Sequence, residues 1–386
     1  MDIQKLKEEF FNIYNKRVDD PFVFFSPGRV NLIGEHTDYN NGYVLPCALN
    51  YGTYLVIRKR SDDRILLHTL NFEFSGSYEL DKIKKNKSGE WVNYPLGVIS
   101  EFIDRKAELT GMDMLFYGNI PNGAGLSSSA SIEMVTAFAL NTLFSAGLST
   151  LDLVKLSQHA ENSFVGMNCG IMDQFAVGMG QEDSAVFLNC ETLNYESVPL
   201  ELKGYRLIIS NTNKRRGLTD SKYNERRKEC EEALKHLGKE LDIANLSQLG
   251  IKDIDLLEKL IPDETILRRA RHVVTENNRV LKAVRVLHMG DIEEFGKLMN
   301  ESHDSLKNDY EVTGRELDAL VYEAREIDGL IGSRMTGAGF GGCTVSIVKE
   351  DKAAEFTKQL EHAYSKATGL KADFYLPLIK DGVRQL

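Results

Sequence analysis

The chain has 386 residues, 42% of them hydrophobic and 27% charged, and a formal net charge of −10. Those proportions exclude a disordered chain and fit a globular protein whose length corresponds to about two or three domains. The acidic balance disfavours a surface built to grip nucleic acid, which needs clustered Lys and Arg. It still allows a small anionic ligand held by local cations, backbone N–H groups or a metal.

The first twenty residues, MDIQKLKEEFFNIYNKRVDD, are charged and amphipathic and lack the apolar centre of a signal peptide. No run approaches the ~18 apolar residues that span a bilayer. Five scattered cysteines (Cys47, Cys169, Cys190, Cys230 and Cys343) form no CxxC, which argues against a disulfide framework or a zinc site. A reduced, soluble, cytoplasmic protein without a membrane segment is expected. Strand-like runs follow at Phe22–Phe25, Thr53–Lys59, Ile65–Thr69 and Met112–Tyr117. From about Ser129 to Ser145, Ile132, Val135, Phe138 or Ala139, and Leu143 recur at helical spacing. A second helix is expected over about Leu151–Val165, with Leu153, Leu156, Ala160 and Phe164 on one stripe. Tyr205–Ser210 reads as a strand opening a second half, followed by helices that include Ser221–Leu237 and Asp263–His288. Cys343–Val348 is a late strand and Asp351–Ala367 a late helix. Strands and helices mix without regular βαβ alternation, so the fold class is α+β rather than a doubly wound sheet.

Three stretches could carry chemistry. SPGRVNLIGEHTDYNNG, from Ser26 to Gly42, packs Arg29, Glu35, His36 and Asp38 into ten residues among glycines. A run of solvated charges is the ordinary reading of a polar loop. Here FVFF before it and YVLPCAL after it place the loop on buried strands, and its carboxylates and imidazole suit the vicinal hydroxyls of a sugar. GNIPNGAGLSSSASIE, from Gly118 to Glu133, sets Gly123 and Gly125 before three serines that open the amphipathic helix. Helix N-termini bind phosphate, glycines leave it room, and a serine hydroxyl can ligate Mg2+. The same residues also serve as ordinary helix caps. The Lys of a Walker A loop is absent. SRMTGAGFGGC, from Ser333 to Cys343, contains a GxGxxG, but its glycines run into a strand instead of following one, which rejects the dinucleotide fingerprint. A tight inter-strand turn and a turn lining a cleft both remain open for it. GIMDQFA adds Asp173, with Glu161 twelve residues earlier, as candidates for a base and a metal ligand.

In this order the pieces resemble the galactokinases, members of the GHMP kinase superfamily. GRVNLIGEHTDYNNGYVLP is similar to the galactokinase signature, PNGAGLSSSAS to the superfamily's ATP-binding motif, and MTGAGFGG to its C-terminal glycine motif; NCGIMDQ and SKYNERR also match. The resemblance implies a two-domain GHMP kinase fold with the active site between the domains. The first, residues 1–203, would be related to the second domain of a small-subunit ribosomal protein. The second, residues 204–386, would be an α/β sandwich. The implied reaction moves the γ-phosphoryl group of ATP to the C1 hydroxyl of D-galactose, with Mg2+ as cofactor, in a monomer that needs neither nucleic acid nor membrane. By the same resemblance Asp173 matches the catalytic base and Arg29 the transition-state cation. Glu35, His36, Thr37, Asp38, Asp173 and Tyr223 match sugar-binding positions. Gly123, Ala124, Gly125, Leu126, Ser127, Ser128 and Ser129 match the phosphate loop, and Ser129 and Glu161 the Mg2+ ligands. A kinase for another small alcohol and a sugar-sensing protein without catalysis are the rivals.

Overall fold

The computed structural model describes residues 2–14, 20–86, 91–121, 123–214 and 219–386. Asn122, inside the glycine-serine motif, lies outside that set. The amphipathic start forms helix α1 (Ile3–Tyr14), which buries Leu6 and Phe10. Strand β1 (Phe22–Asn31) runs antiparallel to the long β3 (Pro46–Lys59) after the short β2 (Tyr43–Val44). Next come β4 (Arg64–Thr69), β5 (Ser75–Glu79), helix α2 (Asn93–Asp104), β6 (Met112–Gly118) and helix α3 (Ser128–Leu143). Helices α4 (Thr150–His159) and α5 (Met172–Met179) precede β7 (Ser184–Asn189) and β8 (Tyr195–Pro199). The later part contains β9 (Tyr205–Asn211), α6 (Thr219–Leu237), α7 (Ile254–Leu260), α8 (Glu264–His288), α9 (Ile292–Asn308) and α10 (Arg315–Arg325). It ends with β10 (Leu330–Thr336), β11 (Cys343–Lys349), α11 (Ala353–Thr368), β12 (Asp373–Tyr375) and β13 (Arg384–Gln385).

Among the described residues the strands form three sheets. One is six-stranded, in the order β13-β1-β3-β6-β4-β5; one is four-stranded, β10-β11-β9-β12; one is three-stranded, β2-β7-β8. Strand β4 pairs parallel with β6 and the other partners in the first sheet are antiparallel, giving the mixed α+β architecture. The last strand, β13, returns to the first sheet beside β1, pairing Phe24 with Gln385.

Helix α3 lies on the six-stranded sheet and fixes the loop before it. Its Ala130, Met134, Val135, Ala137 and Leu140 are buried in one cluster with Phe24, Leu55, Ile57 and Met114 of the sheet. Each large apolar side chain buried there contributes about 1.5–3 kcal/mol. The hydroxyl of Ser131 donates to Ser26 O at 2.7 Å and lies 2.9 Å from Thr53 Oγ1, so the first turn of α3 is pinned to β1 and β3. The second expected helix is split. Regular α4 ends at His159 and a π-helical turn, Ala160–Val165, continues it to Gly166, whose φ of 84° stops it. Such wide turns change the direction in which a side chain leaves the helix, and this one carries Glu161. The segment Ser333–Cys343 is a hairpin turn that also lines a cleft: β10 and β11 pair antiparallel, Thr336 opposite Cys343, and the glycines connect them.

Candidate active site

Strand β1 delivers Arg29. Its pairing with β3 slips between Pro27 and Arg29, a bulge centred on Gly28, and bulges re-aim side chains. Gly28 is also where the serine-led loop touches the strand: a Cβ there would stand 2.6 Å from Leu126 O. The next amide, Arg29 N, donates to that same carbonyl at 3.1 Å. Arg29 is 5% exposed. Its Nε and Nη2 reach Asp173 Oδ1 at 2.9 and 2.7 Å, and its Nη1 donates to Gly125 O at 2.8 Å. The other oxygen of Asp173 accepts from Ser127 Oγ at 2.7 Å. Asp173 sits in the first turn of α5, where the helix dipole favours a negative charge. Arg29, Ser127 and Asp173, 144 and 46 positions apart in the chain, thus make one hydrogen-bonded unit.

Two cavities meet at that unit. One, of about 420 Å3, is lined by Arg29, Glu35, His36, Asp38, Asp173 and Tyr223. The other, of about 320 Å3, is lined by Gly123, Gly125, Leu126, Ser127, Ser128 and Ser129, and again by Arg29 and Asp173. Gly337 and Ala338 of the hairpin turn also belong to both walls. Ala124 does not line the second cavity; its side chain packs into a buried apolar cluster with Val30 and Leu45.

The cradle of the larger cavity is braced from the second half of the chain. Glu35, 2% exposed, uses Oε1 to accept from Gly337 N at 2.8 Å, Thr336 Oγ1 at 3.0 Å and Arg334 Nη1 at 3.4 Å. The Gly34 amide donates to Glu276 Oε1 at 2.9 Å and the Tyr43 amide to Asn277 Oδ1 at 2.9 Å. Burial works against the charge of Glu276, but Arg279 beside it prevails and holds its carboxyl at about 2. His36 takes a left-handed backbone, φ 61°, with Nδ1 2.8 Å from Tyr39 Oη. Burial drives its imidazole down to about 3, so it is neutral at pH 7. Asp38 packs against Gly170, where a Cβ would overlap its Oδ2 at 2.0 Å. Burial and nearby Asp173 push the Asp38 carboxyl up to about 7. Tyr223 of α6 lies against His36 and Tyr39, with ring centroids 5.7 and 5.2 Å away.

Thr37 corrects an expectation. It was expected among the sugar-binding positions, yet it has no exposure and does not line the cavity. Its hydroxyl lies 2.9 Å from Gly34 O and 2.7 Å from Tyr43 O, so it ties the turn together from beneath. Sequence reasoning also missed Tyr39, Met167, Asn168, Cys169 and Asn224, which line the larger cavity. All but Met167 fall inside motifs already quoted, and only their positions there could have marked them.

Glu161 also lines the larger cavity. Burial, then Asp173, raises its carboxyl pKa, against which the neighbouring Cys169, Ser129 and Gln174 side chains work. Among the described residues no group of three or more His, Cys, Asp and Glu side chains forms a metal cage. None of the helices there is long and apolar enough to cross a membrane.

Three family models match the chain: the galactokinase galactose-binding signature over residues 8–59, the GHMP kinases N terminal domain over 93–181, and the GHMP kinases C terminal over 280–366. The chain is 53% identical to a galactokinase of Clostridium acetobutylicum, over 100% of this chain and 99% of that protein. It is 55% identical to a galactokinase of Fusobacterium nucleatum over 98% of each. Its structure is similar to that of Lactococcus lactis galactokinase complexed with galactose, with a TM-score of 0.96 at 44% identity and both chains fully covered. The mevalonate kinase of Methanococcus jannaschii, 21% identical with a TM-score of 0.66, covering 95% of this chain and 100% of that one, shares the fold alone.

Proposed function

The chain belongs to the galactokinases within the GHMP kinases, and from that premise we propose that its two cavities divide one reaction between them. The larger takes D-galactose and the smaller the phosphates of ATP. The γ-phosphoryl group passes to the C1 hydroxyl at their junction, giving galactose 1-phosphate and ADP. The observation that carries this reading is the shared wall: Arg29 and Asp173 face both cavities and are bonded to each other.

On this reading Asp173 orients the C1 hydroxyl and accepts its proton. An aspartate is a weak base at neutral pH, which suffices because phosphoryl transfer runs through a loose transition state and depends mainly on positioning and charge. The proton leaves late, once the oxygen has begun to bond phosphorus. Arg29 meets the charge that develops on the transferred group. A preorganised donor of this kind lowers a barrier by roughly 3–4 kcal/mol. Glu35, neutral His36, Asp38 and Tyr223 supply acceptors and donors for the remaining sugar hydroxyls. The amides at the start of α3 and the glycines before it cradle the phosphates.

Mg2+ fits Ser129 and Glu161. Both offer oxygen, their side chains are neighbours, and the carboxylate sits where burial opposes its charge, a cost that a bound cation would offset. Two protein ligands, with phosphate and water completing the shell, are usual for Mg2+. When bound it would neutralise charge on the β- and γ-phosphates. The test is a panel of sugars with coupled ADP detection and identification of the product. Galactose 1-phosphate formed in step with ADP supports the reading. ADP released without a phosphorylated sugar, or a clear preference for N-acetylgalactosamine, would overturn it.

A further inference from the structure

Immediately after Asp173 stands Gln174, a residue with no exposure and no contact with either cavity. Its single amide nitrogen faces two acids. Nε2 donates to Glu161 Oε2 at 2.5 Å and to Glu133 Oε2 at 3.0 Å. An amide NH2 has two protons and no more, so this one spends both on the pair. Glu133 is on α3 one turn beyond Ser129 and is fully buried; among the described residues its Oε1 makes no hydrogen bond, nor does Gln174 Oε1. Buried polar atoms are left unpaired only where the surroundings impose it. Here two carboxyl groups converge from α3 and from the π-helical turn, and only a donor can stand between them. The thiol of Cys169 reaches the same Glu161 oxygen at 3.3 Å. Glu161 Oε2 is therefore taken up by the interior, and the rest of that carboxylate is left for Ser129.

We propose that Gln174 is a positioning residue for the metal site: by bridging Glu133 and Glu161 it holds the Glu161 carboxylate turned toward Ser129. The proposal rests on the reading of Ser129 and Glu161 as the Mg2+ ligands. Groups that orient a metal ligand from behind commonly contribute 10–100-fold to metal affinity. Removing this one leaves the two buried carboxyls facing each other without the amide that bridges them.

The test uses Mn2+ with a non-hydrolysable ATP analogue on the full chain. Electron paramagnetic resonance reads the bound metal and calorimetry reads galactose separately. For Gln174→Leu the expected result is Mn2+ affinity in the nucleotide complex at least tenfold weaker, with galactose affinity in the absence of nucleotide within about twofold of wild type. Adding Glu133→Gln to that variant returns an amide donor from the other side and restores most of the loss, which a merely structural defect would not do. If Gln174→Leu does not fold, Gln174→Asn carries the test, since its amide falls one methylene short of Glu161 and the same weakening is expected. Unchanged Mn2+ affinity in a folded variant, with wild type binding normally, overturns this inference alone. Wild type that holds no Mn2+ beside the nucleotide analogue overturns the metal reading and the inference with it.

Discussion

The two cavities are built by opposite means. The proposed galactose cradle, residues 32–45, is made of fixed side chains: Glu35 accepts three donors, Thr37 Oγ1 lies within hydrogen-bond reach of two carbonyls, and Asn40 Nδ2 donates to His36 O at 3.0 Å. The proposed phosphate loop, residues 123–129, is held at its backbone and by one side chain, Ser127 Oγ, which donates to Asp173 Oδ2 at 2.7 Å. Its Gly125 and Leu126 carbonyls accept from Arg29, and Gly123 is exposed, with φ 71° and open space where a Cβ would be. A sugar is distinguished by the direction of its hydroxyls, which demands side chains locked by their neighbours. A triphosphate presents charge and many equivalent oxygens, and outward-facing amides suffice. Specificity should therefore concentrate in cradle side chains, and the loop should tolerate side-chain change better than backbone change.

The contrast breaks at the junction, where Arg29 and Asp173 serve both sides. Asp173→Asn keeps the shape and removes the base. Its turnover should fall about 10³-fold, within the range that positioned acid–base groups contribute, while KM for galactose and for ATP stays within a few-fold. A purified, folded Asp173→Asn enzyme turning over near the wild-type rate would remove Asp173 from its role. Arg29→Lys comes next. A point charge on a flexible stem cannot hold Asp173 Oδ1 with two nitrogens and Gly125 O with a third. A fall in kcat of about 10²-fold is expected, and single-turnover kinetics locate the loss in the chemical step; an unchanged rate there would refute it.

Within the cradle, two acids that look alike in sequence should separate. Asp38→Ala should raise the galactose KM by about 10–100-fold, the value of one or two hydrogen bonds to a charged group, and leave the ATP KM nearly alone. Glu35→Ala should raise both. Its carboxylate also holds Gly337, whose turn forms part of the phosphate cavity wall. Steady-state kinetics with each substrate varied in turn decide this. Equal effects of the two variants on ATP would show that the Glu35 brace does not reach the nucleotide.

How much of this was legible in sequence follows from distance along the chain. Arg29, Glu35, His36 and Asp38 crowd into ten residues, so their chemistry could be read locally. The start of α3 was legible from its glycines, serines and helical period. The braces were not: Glu276 meets Gly34 across 242 positions with nothing local to mark it, and the glycine run that holds Gly337 gave no sign that it meets Glu35 across 302. Arg29 and Asp173 were brought into one site only by resemblance, and spacing carries no trace of their pairing across 144 positions. Thr37 shows the limit of motif reading. Next to Asp38 in the same polar run, it turns inward because its hydroxyl is the nearest donor for two carbonyls of the turn. The return of β13 to the first sheet was likewise invisible, since two residues of strand have no period to detect.

The smallest expected effect concerns pH. The Asp38 carboxyl is pushed up to about 7 in the folded protein by burial and by Asp173, whereas in an unfolded chain it lies near the ordinary aspartate value of about 4. Its folded pKa is therefore the higher one. Any stability linked to this group is fully present below about pH 4 and is lost as pH rises through about 7, because over that window the folded state binds more protons. Galactose should work in the opposite direction. Hydroxyls donate better to the carboxylate than to the acid, so the sugar selects the ionised form and its affinity should rise between pH 6 and 8, by up to about tenfold. Calorimetric titration with galactose alone, without nucleotide, measures this. In Asp38→Asn the slope should flatten while the remaining affinity stays low. A wild-type affinity that falls across the same range would mean that Asp38 contacts the sugar as an acid, donating its proton, and a flat one that it does not contact the sugar; in either case the cradle would have to be redrawn around Glu35 and His36.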